Sequence, residues 1–486
     1  MSGSDAARGL GRRESATAAA RFDDPRELGA LLPSTLRIGM ASSAFQTEGS
    51  LAADGRGTTV WDEFAGRRHT IADGATPEVA TDFYRRFADD IALLVDLGVQ
   101  DVRLSVAWTR IQPAGRGPIS RAGLAFYDRL LDALAEARIR PMLTLQHRDT
   151  PETFSGGWMN RDTAFRFGDY AFEFASRLGD RVDSWVTLDQ PTTVMLGGYA
   201  LTTEAPGYGR LFNALPALHH QLLGHGVAVE ALRAAAVPGR IGIVDAYAPV
   251  EPASDREADV SWAAAFDTLH NRLVPDALLT GAYPTGPEEL AMLFEPLTRV
   301  DPVDLVRISA PLDFYGVAPL PPARIAAGRD PSAPTGVGAP PVFPFHREPW
   351  PEFPTDGAGE PNAPSFLGVA LRELRDRYGE ALPPLVVGAL GVSYPEAQDR
   401  DGAIVDTARI RWLGSHLAAL VEAVAPGGDA DGVTLEAVYL WTLVDAFEWS
   451  AGYTRPSGLV ALDAMGYDRV PKASFDWLRR VLDARS

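Results

Sequence analysis

The sequence predicts a single α/β domain folded as a (β/α)₈ TIM barrel with long loops following its strands. Three observations predict it. Eight runs rich in Val, Ile and Leu recur along the chain, and amphipathic segments with apolar residues three and four apart lie between them. Most of the eight runs are continuously apolar, as parallel strands covered on both faces should be. A length of 486 residues without a visible repeat of ~20 to 50 residues suits one large barrel with insertions and argues against a solenoid or propeller.

The strands are expected at Leu36 to Ala41, Asp101 to Ala107, Arg140 to Gln146, Ser184 to Asp189, Arg240 to Ala246, Asp313 to Ala318, Leu385 to Leu390 and Ala437 to Thr442. Helices are expected at Val79 to Leu97, Arg121 to Ala137, Arg161 to Leu178, Leu215 to Ala236, Ser365 to Tyr378 and Ile410 to Val424. Residues 1–32, rich in Ala, Arg, Ser and Gly, read as a disordered tail, and residues 33–486 as the barrel. The segment from 319 to 364 holds 13 of the 38 prolines and reads as a long loop after the sixth strand. In a barrel such a loop roofs or walls the pocket.

Composition excludes several chemistries. Sixty-four acids against 45 bases give a net charge of −19, which repels phosphate backbones and anionic lipid, so neither a nucleic-acid nor a membrane partner is expected. The chain has no cysteine, which removes disulfides, thiolate nucleophiles and sulfur-built metal sites. Lys472 is the only lysine, so a phosphate-binding loop of the Walker type has no lysine to use. Arg12 and Arg13 lack the apolar run of an export signal, and no stretch approaches the ~18 to 20 apolar residues of a membrane span, so a cytoplasmic location is expected. No metal and no cofactor is called for. His219 and His220 fall within a helix that packs on the barrel. The oligomeric state is not set by the sequence.

Barrel chemistry sits where strands run out. The first strand leads to Phe45-Gln46-Thr47-Glu48-Gly49, the second carries Arg103, and the third runs into His147-Arg148-Asp149. The fourth gives Asp189-Gln190-Pro191, and the eighth Trp441, followed by Phe447-Glu448-Trp449. Amides, an imidazole, carboxylates and indoles at one mouth suit a sugar, whose hydroxyls need donors and acceptors and whose ring has an apolar face.

From about Leu36 to Leu478 the chain resembles glycoside hydrolase family 1, the retaining β-glycosidases. Phe45 to Gly49, Gly55 to Phe64, Arg103 to Pro113, Gly156 to Thr163, Asp245 to Asp255 with His270-Asn271, Asp313 to Val317 and Trp441 to Gly452 carry the likeness. The resemblance implies a carboxylic acid that protonates the leaving oxygen and a second carboxylate that attacks the anomeric carbon. Where the family reads Thr-Leu-Asn-Glu-Pro, this chain reads Thr187-Leu188-Asp189-Gln190-Pro191, which puts Gln190 at the acid/base position. Where the family reads Thr-Glu-Asn-Gly, it reads Gly388-Ala389-Leu390-Gly391, which puts Ala389 at the nucleophile. An amide delivers no proton at neutral pH, and a methyl forms no glycosyl ester. The family's Asn-Tyr-Tyr is replaced by Ala318-Pro319-Leu320, removing a supporting tyrosine.

By the same resemblance Gln46, His147, Glu448 and Trp449 match residues that hold sugar hydroxyls, Gln190 lines the same subsite, and Trp441 matches its stacking platform. Two lost glutamates, a gained Arg148 and a gained Asp189 make the mouth more positive than in the family by about two units. Arg103, deprived of its carboxylate neighbour, needs Asp189 or an anionic ligand group as a new partner. The expectation is a barrel that has left retaining hydrolysis and acts on a sugar-like, glycosylated or polyoxygenated small molecule, anionic in preference, by elimination, isomerisation or cyclisation. Asp189 and His147 would move protons, and Arg103 and Arg148 would stabilise negative charge. The alternatives are a non-catalytic sugar-binding pseudoenzyme and a weak residual β-glycosidase. Asp189 has a structural alternative as the ion-pair partner of Arg148 or Arg103.

Overall fold

The computed structural model describes residue 22 and residues 24–336, 339–399, 402–463 and 467–485. Eight parallel strands close a barrel: β1 (Arg37–Ala41), β2 (Asp101–Ser105), β3 (Arg140–Gln146), β4 (Ser184–Asp189), β5 (Arg240–Tyr247), β6 (Phe314–Pro319), β7 (Leu385–Leu390) and β8 (Leu435–Trp441). Each pairs with its neighbours in chain order, and β1 pairs with β8 to close the ring. The outer helices include α1 (Phe83–Leu97), α2 (Arg121–Glu136), α3 (Asp162–Leu178), α4 (Leu215–Ala234), α5 (Leu273–Thr280), α6 (Ser365–Tyr378), α7 (Thr407–Val424) and α8 (Ala473–Asp483). Among the described residues no helix is long and apolar enough to cross a membrane.

Strand alternation splits the core in two. Met142, Val186, Val244, Phe314, Val386 and Tyr439 fill the barrel interior, while the opposite faces of the same strands join a larger cluster under the helices. The N-terminal end of the barrel is tied electrostatically. Asp101 accepts from Arg37 and Arg140, and Arg37 reaches Asp183 at 2.8 Å, so β1, β2 and β3 and the start of β4 share one network.

Two expectations need correction. The ordered fold begins before residue 33: Asp24 caps a helix at Pro25–Leu31, and Leu28 and Leu32 are buried. Gly29 meets α8 so closely that a Cβ there would lie 2.7 Å from the Val481 carbonyl oxygen. The rest of the expected tail, residues 1–21 and residue 23, lies outside the described residues. The proline-rich segment is also not a plain loop. It supplies Ala323–Ala327 and Phe345–Glu348, which form a small three-stranded sheet with Val250–Pro252 from the loop after β5.

Candidate functional site

Strand geometry delivers the side chains, and irregularities at the two most altered positions aim them. The β4–β5 register shifts between Val186 and Asp189, and the β7–β8 register shifts between Val387 and Leu390. Bulges of this kind redirect side chains at barrel rims. Gln190 then turns the chain at φ 51°, in the left-handed region, to start the short helix Pro191–Thr193. Gln190 and Ala389 are both half-buried at the ends of β4 and β7.

Glu448 organises one side of the mouth. Its Oε1 accepts from Trp441 Nε1 at 2.9 Å and from Ser457 Oγ, and its Oε2 accepts from Gln46 Nε2 at 3.1 Å. Ser43 Oγ donates to Gln46 Oε1 at 2.7 Å and fixes which way that amide faces. Three of the roughly four acceptor positions on the carboxylate are therefore taken. Burial pushes the Glu448 carboxyl above its ordinary pKa, while the Ser457, Trp441 and Gln46 bonds pull it back.

Arg103, Asp189 and His147 form the floor. Arg103 donates from Nη1 to the Gly388 carbonyl at 2.8 Å, and its Nη2 forms a salt bridge with Asp189 Oδ2. His147 Nε2 lies 3.3 Å from the same Asp189 oxygen. All three are buried. Burial alone would raise the Asp189 carboxyl, but Arg103 and His147 hold it below its ordinary value. Burial pushes His147 down to about 3, so the imidazole is neutral at pH 7. A carboxylate held ionised by a guanidinium is a poor proton donor, and so weakly basic an imidazole is a poor acceptor. Asp189 is thus the ion-pair partner of Arg103, and His147 stands beside it as a buried polar wall.

Arg148 does not turn to Asp189 or Asp149. Its Nη1 donates to Glu204 Oε1 at 2.7 Å, its Nη2 donates to Gln190 Oε1 at 3.2 Å, and its guanidinium lies 5.1 Å over the Trp449 ring. Arg103 is thus paired to Asp189 and Arg148 to Glu204, while Arg103 Nε and Arg148 Nε are buried with no hydrogen-bond partner among the described residues. The unbalanced charge behind the expected anionic ligand is gone. Glu204, in the loop after β4, is the residue that sequence reasoning missed; it belongs to no motif and lies 56 positions from its partner. Ser457 was missed for the same reason.

The two indoles divide their work. Phe45 stacks parallel on Trp449 at 5.6 Å, Trp61 tilts against it at 4.6 Å, and His147 meets it edge-on at 5.1 Å. With Arg148 also over its ring, Trp449 is a packed wall and not an open platform. Trp441 is the more open of the two, half-buried with its Nε1 fixed by Glu448. His219 and His220 take structural partners, His219 with Tyr283 and Asp304 and His220 with the Trp158 carbonyl; among the described residues no three metal-ligating side chains cluster. What the mouth offers is a mixture: an open acceptor on Glu448, an amide nitrogen on Gln190 with no partner among the described residues, a neutral imidazole and one indole face. That mixture suits hydroxyl groups, which both donate and accept.

Known proteins bear on this arrangement. The family model described as glycosyl hydrolase family 1 matches residues 29–486. A β-glucosidase from Agrobacterium sp. is 34% identical over 459 residues, covering 93% of this chain and 96% of the relative. A psychrophilic β-glucosidase from Micrococcus antarcticus superposes with a TM-score of 0.87 at 33% identity, covering 95% of this chain and 99% of that one. A β-glucosidase from Thermotoga maritima, solved in complex with glucoimidazole, gives 0.84 at 30% identity over 94% of this chain and 99% of that one. A match over nearly the whole barrel, together with the closed eight-stranded topology, leaves one conclusion: the chain belongs to glycosyl hydrolase family 1.

Proposed function

We propose that this protein binds a neutral, sugar-like or glycosylated small molecule in the barrel mouth and does not hydrolyse it by the retaining mechanism. The observation that carries this reading is an asymmetry between two sets of residues. Gln46, Trp441 and Glu448 keep a bonded, preorganised cluster for hydroxyls, whereas Gln190 and Ala389 stand where the family resemblance calls for a proton donor and a nucleophile. Retaining hydrolysis needs both groups. The pairing of Asp189 with Arg103 and of Glu204 with Arg148 leaves the neighbouring carboxylates occupied, which favours binding over a relocated acid/base reaction. We place the protein in the cytoplasm as part of the same reading, with no cofactor in the site.

The names of the relatives favour hydrolysis, so residual β-glucosidase activity is the second reading. One experiment separates the two. Calorimetry with glucoimidazole is expected to give binding, while incubation with a 2-fluoro-glucoside followed by intact-mass spectrometry is expected to give no covalent adduct. An adduct would establish that another side chain attacks, and steady turnover of an aryl β-glucoside would establish the second reading. Absence of any binding to sugar-like probes would remove the proposal altogether.

A further inference from the structure

We infer that Arg409, buried on α7, is a positioning residue for the mouth: it holds the backbone at Ser457, and through that serine it sets the Glu448 carboxylate that Trp441 and Gln46 share. Arg409 is 1% exposed and bonds neither Glu448 nor Trp441 itself. Its effect on the mouth therefore passes through the chain it holds.

The destinations of the guanidinium's N–H groups carry the inference. Nε donates to Asp406 Oδ2 at 2.9 Å, at the start of the same helix. Nη1 donates to the carbonyls of Val392 and Ser457, the second at 2.9 Å, and Nη2 donates to Glu396 Oε1 and to the Pro456 carbonyl at 3.1 Å. Every N–H of the fork is thus used. The bonds beyond Asp406 join the loop after β7, which carries Val392 and Glu396, to the loop after β8, which carries Pro456 and Ser457. Both loops border the mouth. Gly391 lies so close to the Trp441 carbonyl that a Cβ there would clash with it, and Ser457 Oγ donates to Glu448 Oε1. Ser457 is pinned on its other side as well, since the next amide, Gly458, donates to Asp445 Oδ1 at 2.8 Å. Asp445 also accepts from Lys472 Nζ at 2.9 Å, and Lys472 pairs with Glu396, which returns the network to Arg409. Turning the Ser457 backbone would break a charge-assisted bond to a buried guanidinium, so the hydroxyl keeps one direction and Glu448 keeps one orientation.

Arg409→Lys tests this, because an ammonium keeps the charge and cannot reach all of these acceptors. In ¹⁵N-tryptophan-labelled protein, which has 10 tryptophans, the Trp441 Nε1–H reports the Glu448 oxygen it donates to, and its signal is identified by its loss in Trp441→Phe. Arg409→Lys and Ser457→Ala should both shift that signal, in the same direction. Calorimetry with glucoimidazole should give an affinity about tenfold lower in Arg409→Lys, the size of effect one well-placed hydrogen bond produces. In the Ser457→Ala background the same substitution should add less than about twofold, since the path is already cut. Arg469→Lys serves as the control: it disturbs another buried ion pair, with Asp90, and should lower stability to urea without moving the Trp441 signal. Should Arg409→Lys fail to fold, Glu396→Gln loosens the same guanidinium while keeping an acceptor, and should shift the signal in the same direction. An unmoved Trp441 signal in a folded variant would overturn the inference. So would affinity losses that add in full in the double variant, or an equal shift in Arg469→Lys. The affinity arm rests on the proposed binding at the mouth and the spectroscopic arm does not: native protein that ignores glucoimidazole while Arg409→Lys still shifts Trp441 would remove that reading and keep this one.

Discussion

Arg148 and Glu204 form a 2.7 Å salt bridge that joins the end of β3 to the loop after β4 across the edge of the mouth, and Arg148 holds the Gln190 side-chain oxygen with its other nitrogen. Both charged groups are mostly shielded, with side-chain exposures of 11% and 20%. The pair therefore sets the local charge that a ligand meets, and an arginine counted alone misjudges it.

Glu204→Gln should convert the mouth from neutral-preferring to anion-preferring. The native protein is expected to bind a glucoside at least as well as the matching glucuronide. The variant, with an unpaired guanidinium that cannot deprotonate, should favour the glucuronide by about tenfold at low salt and lose that preference as salt rises. Titration calorimetry over a salt series decides it; an unchanged ratio in the variant would mean that Arg148 finds another partner or does not meet the ligand.

Glu448→Ala should cost stability as well as affinity. The substitution strands the donors of Trp441, Gln46 and Ser457, and leaving buried donors unmet costs about 1 to 3 kcal/mol. Urea unfolding should show the loss, and calorimetry with glucoimidazole a drop in affinity. Ser457→Ala should reproduce part of the affinity loss through a less firmly held Glu448, with the fold kept. If Ser457→Ala changes neither quantity, the serine bond does not position the carboxylate.

The barrel was legible because buried parallel strands need continuous apolar runs, and all eight expected runs overlap the observed strands. Boundaries failed where the backbone leaves regular geometry. The periodicity of α1 extends back to Val79, but Ala80 and Asp82 adopt φ 52° and 55°, so the helix starts at Phe83. The strands at Ala323–Ala327 and Phe345–Glu348 were illegible because they pair with each other and with a segment some 70 residues earlier, inside a stretch whose prolines read as loop. At the site, Gln46, His147, Asp189, Gln190, Ala389, Trp441 and Glu448 follow from strand ends. The pairing of Arg103 with Asp189 was among the expected alternatives, since both lie on strands, whereas the partner of Arg148 does not follow, because Glu204 is brought to it by a loop.

Asp245→Asn should flatten part of the pH dependence of stability. Asp245 is buried on β5 and accepts from the Thr192 amide at 3.2 Å and its hydroxyl at 2.8 Å. Burial pushes its carboxyl up to about 7. The folded state thus holds a proton that the unfolded state, with an ordinary aspartate, has released. Stability therefore falls as pH rises from about 4 to about 7 and stays flat above, a contribution on the order of 4 kcal/mol. Asparagine keeps an acceptor for the Thr192 amide and can donate from Nδ2 to the Thr192 hydroxyl, without the charge, so the variant should gain on the native protein as pH rises through this window. Parallel urea titrations at pH 5 and pH 8 measure the difference; an equal increment at both would assign the effect to packing.

Restoring hydrolysis should require three substitutions and not two. Gln190→Glu and Ala389→Glu return the carboxylates that the family resemblance calls for, and the same resemblance sets the carboxylate at position 389 beside Arg103, which bonds the adjoining Gly388 carbonyl and whose Nη2 already belongs to Asp189. With Asp189 in place, the incoming carboxylate faces a second negative charge and shares a guanidinium already committed elsewhere, which raises its pKa and weakens it as a nucleophile at neutral pH. Adding Asp189→Asn removes the competitor and frees Arg103. The backbone adds a further limit: a side chain at Gly388 would have its Cβ 2.7 Å from Val244 Cγ1, so the residue before the nucleophile must stay glycine unless Val244 is also reduced. Aryl β-glucoside turnover is therefore expected to be near background for the double variant and at least tenfold higher for the triple, because catalytic groups act as a unit. Equal rates in the two variants would show that Asp189 does not compete for Arg103.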